Sequence, residues 1–95
     1  RVLFRSPYDV TLDAFRGLLS DPQESGSAAV FDLKVNGVSV LSTKSTITNG
    51  QKVGSAAVIS APSVEAFAQV TFSIDAIGTG GLGPAASLVY HQRVT

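Results

Sequence analysis

Four features of the chain carry residue types that can do chemistry. They are the glycine run from Gly78 through Thr79, Gly80 and Gly81 to Gly83, the lone histidine His91, the carboxylates Asp9 and Asp13, and 19 serines and threonines. The run has the form G-x-G-x-x-G, which in a dinucleotide-binding fold follows a strand, opens a helix and is answered by an acidic residue about 20 positions on. Here Pro84 follows, and none of residues 84–95 is Asp or Glu. The run therefore reads as a glycine-rich connection between neighbouring strands. His91 has the chemistry of a general base or a pH sensor, but beside Tyr90 and Gln92 near the end of the chain it reads as a surface residue. Asp9 and Asp13 are separated by about 13 Å along a strand, too far for two carboxylates to work on one bond. With one His, no Cys and scattered acids, no metal-ligand set stands out. A nucleophilic serine needs a positioned base and an oxyanion hole, and no G-x-S-x-G occurs. The expectation is no enzyme, no cofactor and no metal.

The elements that would hold any site must come from one small domain, residues 1–95, whose core is thin at this length. A hydrophobic content of 44% against 15% charged residues excludes a disordered chain. Seven Lys and Arg balance seven Asp and Glu. A neutral chain lacks the basic footprint of a nucleic-acid binder or a polybasic membrane anchor. It also has little charge to keep copies apart, which favours life inside an assembly. No run approaches the ~20 apolar residues of a membrane-spanning helix, and residues 1–20 carry no signal-peptide pattern. Neither nucleic acid nor membrane is expected as a partner.

Residues 29–35 place Ala29, Phe31, Leu33 and Val35 on one face and Asp32 and Lys34 on the other, the period-two pattern of a half-buried strand. Asn36-Gly37 follows, and a type I′ turn needs φ > 0 at both central residues, so this pair marks a hairpin and sets its register. Residues 10–19 alternate Val10, Leu12 and Ala14 against Thr11, Asp13 and Phe15, then slip near Gly17, where a bulge is expected; a helix over residues 12–19 is the competing reading. Thr46 to Thr48 precedes a second turn at Asn49-Gly50, with residues 42–45 as a polar edge or connection. Further strands are expected over residues 55–60, over 66–74 with Ala66, Ala68, Val70, Phe72 and Ile74 on one face, and over 86–94 with Leu88 and Tyr90 inward. Loops occupy residues 21–26, 61–65 and 78–83. Residues 1–7 are either a first strand or an arm that docks on a neighbouring subunit. The whole reads as all-β: a single antiparallel β-sandwich or jelly-roll-like domain with short strands and glycine-rich loops.

Three blocks in order, VTLDAFRGLLSDPQESGS (10–27), VFDLKVNGVSVLSTKSTITNGQK (30–52) and AAVIS…QVTFSIDAIGTGGLG (56–83), carry a further signal. They resemble a small β-sandwich module of tailed-bacteriophage virion proteins, tail-fibre-like and capsid-decoration-like. That module has a T-L-x-x-h-R strand and a D-x-x-x-x-G-S loop. A V-D-h-x-x-N-G-x-S-h-L-S-T-K-x-T-I-x-N-G hairpin follows, then an h-I-D-x-I-G-x-G strand and glycine loop. Thr11, Leu12 and Arg16 correspond to its first strand. Asp32, Asn36, Gly37, Ser39, Leu41, Ser42, Thr43, Lys44, Thr46, Ile47, Asn49 and Gly50 correspond to its hairpin, and Ile74, Asp75, Ile77, Gly78 and Gly80 to its last strand and loop. The match spans about four-fifths of the chain. The loop at residues 61–65 departs from it, with Ala-Pro-Ser in place of a more acidic stretch.

The resemblance implies a virion structural role, as a capsid decoration protein or a tail or fibre module, and supplies no catalytic residue. The expected partners are other virion proteins, capsid or tail subunits, and copies of the chain itself in a homo-oligomer such as a trimer. The alternative is a module that binds a host-surface glycan or protein through its loops. The candidate contact residues are Asp21, Pro22, Gln23 and Glu24 with Gly78, Thr79, Gly80 and Gly81, and Phe31, Leu33, Val35, Asn36 and Gly37 form a structural hairpin. With no Trp and only Tyr8 and Tyr90 as aromatic phenols, a stacking platform for sugars looks thin in the sequence.

Overall fold

The structure is a computed structural model that describes residues 2–92. All its regular elements are β-strands: β1 (Val2–Arg5), β2 (Val10–Leu18), β3 (Ala29–Val35), β4 (Val38–Ser39), β5 (Leu41–Thr43), β6 (Ser45–Ile47), β7 (Val58–Ile59), β8 (Ser63–Val64), β9 (Gln69–Ala76) and β10 (Ala85–Gln92). One sheet runs β1-β9-β3-β4, with β6 also paired to β3. A second runs β10-β2-β8, and β5 pairs with β7. Every pairing is antiparallel. The molecule is elongated, 46 × 20 × 19 Å.

The two larger sheets meet in one apolar cluster. Val10, Leu12 and Phe15 come from β2, Phe31 and Leu33 from β3, Ile47 from β6, and Val70 and Phe72 from β9. Phe31 and Phe72 stack with ring centroids 6.1 Å apart and planes 18° from parallel. The hairpin register is Val35 opposite Val38 and Lys34 opposite Ser39. Asn36 and Gly37 both lie at positive φ, 51° and 82°, as the type I′ turn requires. Asn36 also ties the turn to β9: its N–H donates to Gln69 O at 2.8 Å and its Oδ1 accepts from Gln69 N at 3.0 Å. At Asn49-Gly50 only the glycine has positive φ, 85°. The N–H of Gln51 donates to Thr48 O at 3.1 Å, which makes this a turn of type II character.

Several expectations change in the fold. Residues 10–18 are a strand rather than a helix, but the bulge is not near Gly17. Ala14 pairs with Val89 and Leu12 with Tyr90, so Asp13 is the unmatched residue. The slip inverts the alternation beyond it, exposing Ala14 and burying Phe15 at 1% exposure. Gly17 is then an inward position. Its missing side chain makes room for Phe31, whose Cδ1 lies 2.4 Å from where a Cβ would stand.

Asp32, expected to face solvent, is buried. The chain after the hairpin folds back beside β3, so that Ser39 Oγ donates to Asp32 Oδ1 at 2.7 Å and Lys44 Nζ lies 3.9 Å from Oδ2. Ser45 is also buried rather than part of a polar edge, because its hydroxyl bridges the backbone of β2 and that of the segment before β7. It accepts from Gly17 N at 3.0 Å and donates to Ser55 O at 2.6 Å. The strand expected over residues 55–60 shrinks to Val58–Ile59. The one over 66–74 begins only at Gln69, with Ile74 exposed. Tyr90, expected inward, lies opposite Leu12 but is 48% exposed. Val2–Arg5 pairs along β9 as a sheet strand. Residues 93 and 94 of the expected last strand lie outside the described residues.

Candidate functional site

Strand β2 ends at Leu18, buried Leu19 follows, and beyond it the chain meets the glycine run that precedes β10. The two loops pair as an irregular ladder. Leu82 O accepts from Ser20 N at 2.9 Å, and Asp21 N and O exchange bonds with Leu82 O and N, each at 3.2 Å. Glu24 N donates to Thr79 O at 2.8 Å, and Thr79 N to Ser25 O at 2.8 Å. The ladder holds residues 21–26 and 78–83, distant in sequence, as one surface.

Gln23 fastens that surface from within. Its side chain is 1% exposed, and its amide uses both ends. Nε2 donates to Ser27 O at 3.0 Å and to Asn49 Oδ1 at 3.1 Å, while Oε1 accepts from Gly78 N at 2.6 Å. A buried amide satisfied on both sides holds its partners in a single arrangement. The Asn49-Gly50 turn completes the assembly, with Asn49 Nδ2 donating to Gly26 O at 3.1 Å and Gly50 N to Gln23 O at 2.9 Å. Gly78 has to be glycine, since a Cβ there would stand 2.4 Å from Ser25 O and 2.6 Å from Ser27 O. The glycine run is thus a loop packed against another loop, and its first N–H is engaged by Gln23.

These segments enclose an open cleft of about 790 Å³ lined by Asp21, Pro22, Gln23, Glu24, Asn49, Gly50, Gly80 and Leu82. Among the described residues its only charged lining groups are the acids Asp21 and Glu24, and Leu82 adds an apolar patch, 60% exposed. Five of the eight contact residues expected from the sequence therefore line one cleft. Gly78, Thr79 and Gly81 lie in the same ladder but do not line it. The third expected contact loop, residues 61–65, is elsewhere. It supplies β8, which pairs with Val10 and Thr11 at the far end of β2, and Pro62 O accepts from Leu12 N at 2.8 Å.

Two charged groupings lie outside the cleft. His91 Nδ1 is 2.8 Å from Asp13 Oδ2 on an open part of the β2–β10 pair, with side chains 60% and 39% exposed. This is a base-and-acid pair in solvent, and neither residue lines the cleft. Asp9 does not join it, because its Oδ1 accepts from Ala66 N at 2.9 Å. Lys44 Nζ pairs with Asp75 Oδ2 at 2.5 Å, and Ser73 Oγ donates to Asp75 Oδ1 at 2.9 Å. The Asp75 hydrogen bond raises the Lys44 pKa, and the same bond from Lys44 holds Asp75 below the usual carboxylate range. Both shifts favour the charged pair, so Lys44 is a counter-ion here and not a neutral nucleophile. Among the described residues no three His, Asp or Glu side chains gather as metal ligands.

Sequence reasoning located the two loops and named Gln23 as a contact residue, but Gln23 is buried and joins the loops from within. Gln23 carries no motif, and its one legible trace is a polar residue beside Pro22 in a loop. The loop end is a hydrogen-bonded, acidic surface with an exposed leucine. Comparisons with protein families, with curated proteins and with solved structures return no match to this chain.

Proposed function

We propose that the chain is a non-enzymatic structural module of a tailed-bacteriophage virion, a capsid decoration protein or a tail or fibre module. In this reading its two larger sheets form the β-sandwich of such modules, and it meets neighbouring subunits through the loop end. The observation that carries the reading is the convergence of residues 21–26, 49–50 and 78–83 into one preorganised surface. Those three segments also fall inside the blocks that resemble the virion module. A surface already rigid before contact loses little ordering entropy on binding, which suits a protein that joins a repeating array. The cleft's two acids call for a partner surface bearing Lys or Arg, and exposed Leu82 for an apolar contact. Further copies of the chain in a cyclic homo-oligomer fit the neutral net charge.

The test is to produce particles carrying Glu24→Lys together with Leu82→Asp and to measure how much of the chain they retain. Both side chains are exposed, so the variant should fold. The expected result is density for the parent chain in a symmetric array on the particle and loss of the variant from it. Purified particles that contain none of the parent chain, or that hold the variant at full occupancy, overturn the proposal.

A further inference from the structure

The second groove of the molecule lies away from the loop end, where β1 turns into β2 beside the end of β10. Its volume is about 370 Å³, and its lining includes Arg5, Ser6, Pro7, Tyr8, Val10, Tyr90 and Gln92. The two tyrosines of the chain, 82 positions apart, meet here. Each ring is about half exposed, Tyr8 at 55% and Tyr90 at 48%.

Both are placed by features of the backbone. Ser6 Oγ accepts from Tyr8 N at 3.1 Å, a local hydroxyl turn whose central residue, Pro7, has its φ set by the ring. The bulge at Asp13 brings Tyr90 opposite Leu12, on the face that elsewhere is core. At this position it flanks the groove.

Among the described residues of the lining, Arg5 is the only charged one. Its Nη1 donates to Phe67 O at 2.9 Å, and it forms no ion pair among the described residues. Phe67 N in turn donates to Ser6 O at 2.6 Å, and Phe67 is held at φ 66°. A bulky side chain in that region is uncommon and persists only where surrounding contacts fix it. The guanidinium is thus anchored on one side by a rigid loop, with the rest of its planar fork of donors left without a carboxylate among the described residues.

Two half-exposed phenol faces, an anchored guanidinium with no ion pair among the described residues and the amide of Gln92 together define a recognition chemistry. Flat apolar faces with polar rims match the C–H face and hydroxyl rim of a pyranose ring. The fork of Arg5 matches a carboxylate in bidentate geometry. A single cation among the described lining residues is too little for a nucleic acid, whose affinity rests on many phosphate contacts. We propose that this groove is a binding site for an acidic saccharide, a uronic or sialic acid residue, with Tyr8 and Tyr90 as the stacking faces and Arg5 as the carboxylate ligand. The site is separate from the loop-end surface and does not depend on the virion reading.

The experiment is NMR titration of the isotopically labelled full chain with glucuronate, N-acetylneuraminate and glucose in turn. Comparing the first two acids distinguishes a uronic-acid polymer from a sialylated glycan as the natural source. The expected result is shifts at Tyr8, Tyr90 and Gln92 with at least one acid, at millimolar affinity, and weaker binding of glucose. Arg5→Gln should weaken the acid by about tenfold and abolish the preference over glucose. Tyr8→Ala and Tyr90→Ala should each cost about five- to tenfold, and thermal melts confirm that these exposed positions leave the fold intact. Titration of the unsubstituted chain is decisive by itself if a variant fails to fold. No shift with either acid, shifts confined to residues 21–24 and 78–82, or glucose bound as tightly as the acids would each overturn the proposal.

Discussion

Replacing Gly17 with alanine tests whether the β2–β3 packing is correctly described. Gly17 does not have positive φ, so alanine meets no backbone penalty and the effect is steric. The new Cβ would stand 2.4 Å from Phe31 Cδ1, 2.5 Å from Cγ and 2.9 Å from Cε1, where carbon atoms normally keep about 3.5–4.0 Å apart. The ring would have to retreat by roughly 1 Å. It is fully buried and stacked on Phe72, so it has no open side. Overpacking of this kind costs about 1–3 kcal/mol, offset by about 0.4–1 kcal/mol from the reduced freedom of the unfolded chain. A net loss of about 1–2 kcal/mol follows, and for a domain of this size that lowers Tm by roughly 5–15 °C. Urea and thermal unfolding of Gly17→Ala, Phe31→Leu and the double variant measure it. Shrinking the ring should relieve the clash, so Gly17→Ala should cost at least about 0.5 kcal/mol less in the Phe31→Leu background. A Gly17→Ala protein as stable as the parent, or strict additivity in the cycle, would refute the reasoning.

Three further outcomes are expected. Gly37→Ala should destabilise by about 1–2 kcal/mol through backbone strain alone, because Gly37 sits at φ 82° with nothing within 4 Å of a new Cβ; urea midpoints for Gly37→Ala and Gly37→Asn check this, and Asn should be the milder change. Gln23→Leu should remove the acceptor of the Gly78 amide and cost about 1–3 kcal/mol; hydrogen exchange at Gly78 should accelerate, and an unchanged rate contradicts the role given to Gln23. Asp75 is held low by Lys44, so the pair's contribution is complete above the ordinary carboxylate value of 3.8 and fades as pH falls through the lowered one. Lys44 is held high, so the same contribution persists at pH below 10.5 and is lost as pH rises through its raised value. The difference in urea midpoint between the parent and Lys44→Met should therefore be small, salt-sensitive and narrowed in acid. A gap independent of pH would count against the ion pair.

The hairpin was the most legible part of the chain, and the reason is local. Alternation from Ala29 to Val35 and two residues at positive φ in Asn36-Gly37 are short-range properties, and they need no distant partner to be read. The bulge in β2 was misplaced because a bulge is a relation between two strands. Nothing in residues 10–18 alone reveals that Leu12 and Ala14 would pair with consecutive residues of β10. That relation decided which side chains became core, turning Phe15 in and leaving Ala14 out.

The candidate site divides in the same way. Gly and Pro content marked residues 21–26 and 78–83 as loops, but their pairing depends on where β2 ends and β10 begins. Gln23 became their fastener only once Ser27, Asn49 and Gly78 had been gathered around it. Tyr8 and Tyr90 looked like too few aromatics when counted along the chain, and they share one groove in space. The sequence by itself determined the all-β class, the hairpin and the turn chemistry, since period-two patterning and φ preferences act over a few residues. Only the tertiary structure decided the register of β2 against β10, the burial of Asp32 and Gln23, and the meeting of the loops and of the tyrosines. Each of these depends on contacts between residues far apart in the chain, whose geometry no local preference encodes.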